Sequence, residues 1–132
     1  LDEIAVAMGG YAAEKMIFSE ITTGPHNDLE HATSITRDLV TRYGMSEKVG
    51  PTVFGERQEM VFLGKEIGTE KNYSNEVAKL IDAEVRRIMG EGLKRAMDII
   101  VKRRAKLEAI AKRLIEKETI EREEFEMLMA AA

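Results

Sequence analysis

The amino-acid sequence predicts a mainly α fold with a small β-hairpin, organised as a single domain over residues 1–132. Apolar residues recur at helical spacing along most of the chain, whereas only residues 50–68 carry short β-favouring runs. The composition agrees, because 44% of the residues are hydrophobic, 33% are charged and only two are proline. A length of 132 residues suits one domain with its own core.

The first predicted helix covers residues 4–18. Glycine inside a helix costs about 1 kcal/mol relative to alanine, so close packing or a function must offset the Gly9-Gly10 pair. The apolar positions that define this helix are Ile4, Ala5, Met8, Ala12, Ala13, Met16 and Ile17. Residues 22–25 (TTGP) then predict a loop.

The second predicted helix covers residues 27–43 and has two possible start signals. Asn27 and Glu30 have the spacing of a capping box, while Pro25 near the first helical position is an equally good signal. Both alternatives place Asp28 in the first turn, where the helix dipole favours a carboxylate. Gly44 is the predicted end of the helix.

A change of pattern follows at residues 50–68. Residues 52–54 and 60–63 are short β-favouring runs separated by a polar stretch with Gly55, so they predict the small hairpin.

The C-terminal half predicts further helices, beginning with a long one that opens at Ser74. Glu84 falls within its apolar stripe, so either the stripe is partly open to water or Arg87, three residues on, pairs with the carboxylate. Gly90 and Gly92 predict a kink near the middle. A third amphipathic segment over residues 105–115 and a terminal helix with Glu121 and Glu124 complete the chain.

Composition limits the classes of function. Cysteine is absent, so a metal would have to be held by His, Asp or Glu. No apolar run approaches the roughly 18 residues of a membrane span. The net charge is −4, yet residues 86–113 carry ten basic and three acidic residues. Since no aromatic residue accompanies these charges, they favour a solvated helical face over nucleic-acid binding.

Residues 23–33 (TGPHNDLEHAT) concentrate the residues that can bind a metal. Asp28 and His31 share a helix face and could both reach one cation. The alternative is that Asp28 only interacts with the helix dipole and that His31 is a surface residue. Glu14 either converges with Asp28 or is a solvated acid. The chain has no phosphate-binding glycine loop and no G-x-S-x-G motif.

Several stretches together resemble one known family. Residues 9–33 (GGYAAEKMIFSEITTGPHNDLEHAT), 36–56 (TRDLVTRYGMSEKVGPTVFGE), 59–67 (EMVFLGKEI), 72–89 (NYSNEVAKLIDAEVRRIM) and 107–128 (LEAIAKRLIEKETIEREEFEML) are similar to the peptidase domain of FtsH, the membrane-anchored AAA+ ATP-dependent zinc metalloproteases. The likeness covers essentially the whole chain in order. It implies that residues 1–132 are the C-terminal portion of a zinc metallopeptidase domain.

The resemblance also implies a set of metal ligands. The family binds zinc through two histidines of an H-E-x-x-H helix and an aspartate of a later helix, which corresponds to Asp28. Glu14, in the motif G-G-x-x-A-E, would orient a ligand histidine. His26 and His31 occupy positions where the family has other residue types, so the resemblance implies that they are not ligands, and Tyr11 replaces the usual arginine.

This sequence contains no H-E-x-x-H motif. The resemblance therefore begins downstream of that helix, and we expect the chain alone to be inactive. It starts at Leu1 inside a predicted helix, so we expect a longer parent protein, in which a membrane anchor is compatible with the sequence.

For that parent, the resemblance implies an ATP-dependent zinc metalloendopeptidase at the cytoplasmic face of a membrane. It would degrade unfolded or membrane-extracted proteins as a homo-hexamer, with ATP bound by a separate ATPase domain and subunit contacts from residue 74 onward. No nucleic-acid partner is expected, and membrane contact would come only through other segments. Val61, Phe62 and Leu63 either form an edge strand for substrate or belong to a packed hairpin. The alternative function is a non-catalytic helical oligomerisation or scaffold module.

Overall fold

The computed structural model describes residues 1–58, 68–70 and 72–131. Within these residues the chain forms six helices and one pair of short strands. The helices are α1 (Asp2–Ala7), α2 (Gly9–Phe18), α3 (His26–Thr41), α4 (Asn75–Lys102), α5 (Arg104–Lys117) and α6 (Arg122–Ala130), and the strands are β1 (Glu56–Gln58) and β2 (Gly68–Glu70). The prediction of a mainly helical fold is therefore confirmed.

The core is built around α4, against which α1, α2 and α3 all pack. Residues three or four apart on α4 face the same side, and this side is buried because the three N-terminal helices cover it. The buried apolar residues of the cluster are Ile4, Met8, Ala12, Ala32, Val40, Ile81, Val85, Ile88 and Ala96. Helix α2, which carries Glu14, and helix α3, which carries Asp28, therefore both pack on α4.

The predicted first helix is divided into α1 and α2 at Met8. The division is slight, because the backbone N–H of Met8 donates to Ile4 O at 2.9 Å and that of Ala12 donates to Met8 O at 2.9 Å. Met8 is buried in the core. The glycine pair begins α2 and brings Gly10 to the interface with α3.

The start of α3 decides between the two sequence signals. The helix begins at His26 after Pro25, and the N–H of Leu29 donates to Pro25 O at 3.0 Å. The capping box at Asn27 is wrong, since Asn27 lies inside the first turn. Proline suits this position because its fixed φ is close to the helical value.

The end of α3 comes at Thr41, three residues before Gly44. Gly44 has φ +59°, and a Cβ placed there would lie 2.9 Å from Pro51 Cα. Position 44 therefore requires glycine, because the turn after α3 takes a positive φ there and passes close to the backbone of Pro51.

The predicted hairpin between residues 52–54 and 60–63 is not supported. Residues 52–54 form no strand, because the N–H of Phe54 donates to Thr41 O at 2.7 Å and its ring contacts Tyr73 edge to face. Residues 60–63, including Val61, Phe62 and Leu63, lie outside the described residues. The antiparallel pair found instead joins Glu56–Gln58 to Gly68–Glu70, with Arg57 opposite Thr69.

The long helix α4 begins as predicted, with the N–H of Val77 donating to Ser74 Oγ at 3.2 Å. It runs without a break through Gly90 and Gly92. Gly92 is buried, and a Cβ there would lie 2.6 Å from Ile4 Cγ2. This glycine therefore allows α1 to approach α4 closely.

Relative to Gly90→Ala, substitution of Gly92 by alanine is expected to lower the free energy of unfolding by about 1–3 kcal/mol, since the added methyl group overpacks the contact with Ile4. Gly90→Ala is the matched control on the same helix. A Cβ at Gly90 meets nothing within 4 Å, so the control should gain up to about 1 kcal/mol from helix propensity. Urea unfolding followed by circular dichroism measures both changes. Equal shifts in the two variants would contradict the close contact.

The C-terminal helices form a hairpin that stands apart from the core. α6 packs on α5, and α5 packs on α4 and α6, within the described part of the chain. Arg113 and Lys117 pair with Glu124 across the hairpin. Neither helix has a buried residue, and exposed apolar side chains remain at Leu114, Ile115, Phe125 and Met127. Across the described helices, none combines the length and the apolar character needed to cross a membrane.

Candidate metal site

Asp28 lies in the first turn of α3, exposed to solvent, at the interface with α2. A Cβ placed on Gly10 would lie 3.5 Å from Asp28 Oδ2, so the carboxylate rests over a part of α2 that has no side chain. In the ranges that the structure describes, no hydrogen bond or ion pair engages this carboxylate. It is therefore free to offer an oxygen to a cation.

Glu14, on α2, contacts the loop that leads into α3. Its Oε2 accepts a hydrogen bond from the backbone N–H of Thr22 at 3.0 Å, and its Oε1 accepts one from Thr22 Oγ1 at 2.8 Å. Thr22 Oγ1 in turn accepts from the N–H of Gly24 at 3.1 Å. Glu14 thus holds the residues that immediately precede the helix of Asp28.

The two histidines lie against carboxylates other than Asp28. His26 Nε2 is 3.7 Å from Glu30 Oε1, and His31 Nε2 is 3.9 Å from Glu3 Oε1. All four side chains are exposed. Within the described residues, neither histidine forms an ion pair with Asp28.

The donor set decides how well the described residues fit zinc. Among them, no three His, Cys, Asp or Glu side chains converge in a way that could hold a metal. Protein zinc sites use three or four protein ligands, so Asp28 fits the place of one oxygen ligand and the described residues do not complete a site. Tyr11 packs against the hydrophobic core.

A second polar cluster lies on α4, at Glu84, which is 2% exposed. Arg87 donates from Nε to Oε1 at 3.0 Å and from Nη2 to Oε2 at 3.0 Å. Ser46 Oγ donates to Oε2 at 2.6 Å, and Lys48 Nζ lies 3.8 Å from Oε1. The hydrogen bonds from Arg87, followed by the one from Ser46, lower the pKa of Glu84 to about 2. Of the two alternatives for Glu84, pairing with Arg87 is confirmed.

The profile of peptidase family M41 matches residues 1–128. The chain belongs to this family. The resemblance to the FtsH proteases is confirmed by curated relatives as well. Over 127 residues the chain is 50% identical to "ATP-dependent zinc metalloprotease FtsH 1" of Sphaerobacter thermophilus. The match covers 96% of the chain and 19% of that protein.

Two further M41 relatives give similar values. Identity to "ATP-dependent zinc metalloprotease FtsH" of Bacillus subtilis is 46% over 130 residues, covering 98% of the chain and 20% of the relative. Identity to the protein of the same name from Thermotoga maritima is 45% over 130 residues, covering 98% and 21%. The chain spans about a fifth of the length of these relatives.

Within this M41 chain, the predicted site residues lie on adjoining elements. Asp28 rests over Gly10, which belongs to the same helix as Glu14. Their roles as ligand and supporting residue remain predictions. Sequence reasoning missed Thr22, which it assigned only to a loop. The available signal was a threonine two residues before a glycine, since a threonine hydroxyl often binds the backbone N–H two residues further on.

Proposed function

We propose that this chain is part of the proteolytic domain of an ATP-dependent zinc metalloendopeptidase and that Asp28 supplies the third zinc ligand. The observation that supports the ligand role is the carboxylate of Asp28, which lies over Gly10 at the start of α3 and has no partner within the described residues. Membership of peptidase family M41 supplies the enzymatic class. The relatives named above carry the description "ATP-dependent zinc metalloprotease".

The remaining ligands and the general base would come from an H-E-x-x-H helix, which these 132 residues lack. Zinc, when bound, supplies a Lewis acid that activates water and polarises the scissile carbonyl. The role of this chain in the zinc site would be to supply one carboxylate oxygen as a ligand. Because a single carboxylate is too few ligands for a zinc site, we expect the 132-residue chain alone to bind zinc weakly and to be inactive.

The substrates we propose are unfolded or membrane-extracted polypeptides, delivered by an ATPase domain outside this chain. The assembly we propose is a homo-hexamer at the cytoplasmic face of a membrane, with the membrane contacted by other segments. The exposed apolar side chains of the α5–α6 hairpin support a subunit contact there, since such a surface gains from being covered. The proposed substrate edge strand at Val61, Phe62 and Leu63 lies outside the described residues.

The function is tested with the full-length protein and an unfolded protein substrate such as casein. We expect cleavage that requires ATP, is lost when a zinc chelator removes the metal and returns when zinc is added back. A non-chelating isomer of the same reagent is the control for side effects of the compound. Cleavage that persists after complete zinc removal would contradict a metalloprotease.

The second candidate function is a helical oligomerisation or scaffold module without chemistry of its own. The observation in its favour is the same α5–α6 hairpin, which has no buried residue and several exposed apolar side chains. Light scattering distinguishes the two functions when it is combined with metal analysis. A defined assembly of the full-length protein that binds no zinc and cleaves no substrate would favour the scaffold.

A further inference from the structure

We propose that the tip of the α5–α6 hairpin of one copy of this chain docks in an apolar groove between α1 and α4 of a second copy. The tip comprises residues 114–126, where α5 ends and α6 begins. This inference deepens the homo-hexamer of the proposed function and rests on that assembly, but it does not depend on zinc binding. It names the surface that receives the hairpin and thereby the arrangement of the copies.

The groove lies between α1 and the C-terminal half of α4 and has a volume of about 310 Å³. Apolar side chains from both helices line it, namely Val6, Ala96, Ile99 and Ile100. The side chain of Val6 is 80% exposed in the single chain. An open apolar groove of this kind gains from being covered by a partner.

The polar side chains of the groove point to the kind of partner. Asp2 and Arg95 also line it, and they form an ion pair with each other. A small-molecule site usually has a few polar groups that converge on the ligand and fix its orientation. Because these two charged groups already bind each other, the groove suits an apolar protein side chain better than a small polar ligand.

The hairpin tip presents such a side chain. Ile115, near the end of α5, is 83% exposed, and Leu114 and Phe125 at the same end of the hairpin are exposed too. Among the exposed large apolar side chains of the described residues, Ile115 and Val6 have the highest exposed fractions. A contact between tip and groove removes both from water, which is worth roughly 25 cal/mol per Å² of apolar surface.

The tip does not fill the groove of its own chain. Within the described residues, α6 packs on α5, α5 packs on α4 and α6, and neither helix contacts α1. Helix α5 has 14 residues, so its length of about 20 Å separates the tip from the end of α4. The occupant of the groove is therefore the tip of a second copy.

Charge complementarity supports this pairing. The tip carries six acidic and two basic residues, whereas residues 94–106, beside the groove, carry six basic and one acidic residue. Lys102 and Arg103 follow Ile99 by three and four residues, the spacing of one helix face. Neither these two side chains nor those of Glu121 and Glu123 at the tip form a hydrogen bond or ion pair in the described part of the chain. Opposite charges on the two surfaces favour tip-to-groove contact over contact between like surfaces.

This contact fixes the arrangement of the copies. The tip and the groove are different surfaces, so each copy offers one of each and the contact is head to tail. Head-to-tail contacts form a closed ring when the rotation between neighbours allows closure. Six copies would give the proposed hexamer.

The test joins the two surfaces chemically in the full-length protein. Val6→Cys and Ile115→Cys are combined in a background whose other cysteines are replaced by serine; residues 1–132 contain none. A short bismaleimide should then give covalent dimers and longer oligomers on a denaturing gel. Each single variant should remain monomeric there, because like positions of two copies do not meet. Val6→Cys with Val53→Cys is the matched control, since Val53 is exposed and lies outside both surfaces.

Charge reversal tests the complementarity in the same cysteine pair. Glu121→Lys with Glu123→Lys should slow cross-linking at low salt about 10-fold or more. Lys102→Glu with Arg103→Glu should have the same effect. All four reversals together restore opposite charges and should restore the rate. Equal thermal midpoints exclude a general loss of folding, and a rate that the fourfold variant fails to recover overturns the pairing.

The outcomes separate this inference from the proposed function. Absence of oligomers in the double cysteine variant, equal oligomers in a single variant, or a cross-link within one chain overturns the inference. A maleimide probe that labels position 115 but not position 6, in protein that yields no cross-link, would show that another segment of the same polypeptide covers the groove. If casein cleavage still requires ATP and zinc in such protein, the inference alone falls. A wild-type protein that is monomeric by light scattering and cleaves no casein would remove the proposed function and the inference with it.

Discussion

Asp28→Asn in the full-length protein is expected to abolish proteolysis and to raise the zinc Kd by more than the roughly 10- to 100-fold typical of residues that only support a ligand. Asparagine keeps the size of the side chain but replaces the charged oxygen that we propose as a zinc ligand with a neutral amide. Because the Asp28 carboxylate has no partner in the described ranges, the substitution breaks no hydrogen bond or ion pair there. Zinc content by elemental analysis and cleavage of an unfolded substrate measure the effect.

The fold of the Asp28→Asn variant should be retained. The loss of a negative charge near a helix N-terminus costs about 0.3–1 kcal/mol, which a thermal unfolding curve of the zinc-free protein can resolve. His31→Asn is the matched control in the same helix, since His31 lies near Glu3 and forms no ion pair with Asp28 within the described residues. Normal zinc content in the Asp28 variant, or zinc loss in the His31 variant, would reject the assignment of the ligand.

Local pattern was sufficient to predict most of the helices. Helical spacing of apolar residues located α3, α5 and α6, and the serine at position 74 located the start of α4. These signals work because helix hydrogen bonds and caps join residues a few positions apart. The sequence could therefore identify the fold class before any tertiary contact was known.

Tertiary contacts explain the features of the fold that the sequence did not predict. The β-favouring run at residues 52–54 does not pair as a strand, because the N–H of Phe54 donates to Thr41 O and its ring packs on Tyr73, 19 residues away. Gly92 likewise makes room for Ile4 of α1, a role that its sequence context did not indicate. Neither partner can be found from the residues adjacent in sequence.

The residues of the candidate site also differ in whether the sequence alone could identify them. Asp28 and Glu14 were assigned through the family resemblance and not from spacing, since the residues alone favoured surface carboxylates. Thr22 and Ser46 were missed because their partners, Glu14 and Glu84, are 8 and 38 residues away. A hydroxyl residue in a loop has no periodicity that would reveal such a contact.

Glu84→Gln is expected to produce the largest loss of stability, about 2–3 kcal/mol in the free energy of unfolding. Breaking a buried ion pair typically costs about 3–5 kcal/mol, but the Arg87 side chain is 42% exposed and regains part of its hydration. A glutamine can still accept from Ser46 Oγ, whereas it loses the charge that binds Arg87. Asp82→Asn is the matched control on the same helix, since Asp82 is exposed and has no side-chain partner in the described ranges.

The pH dependence of stability tests the same cluster independently. The pKa of Glu84 falls from its ordinary value of 4.5 to about 2 in the folded chain. The unfolded chain therefore binds the proton more readily, so the contribution of Glu84 is complete above pH 4.5 and is lost as the pH falls towards 2. Urea unfolding between these pH values should show a smaller decline in Glu84→Gln than in the wild type, whereas Asp82→Asn should follow the wild type. Parallel declines in wild type and Glu84→Gln would mean that this carboxylate is not held ionised by Arg87 and Ser46.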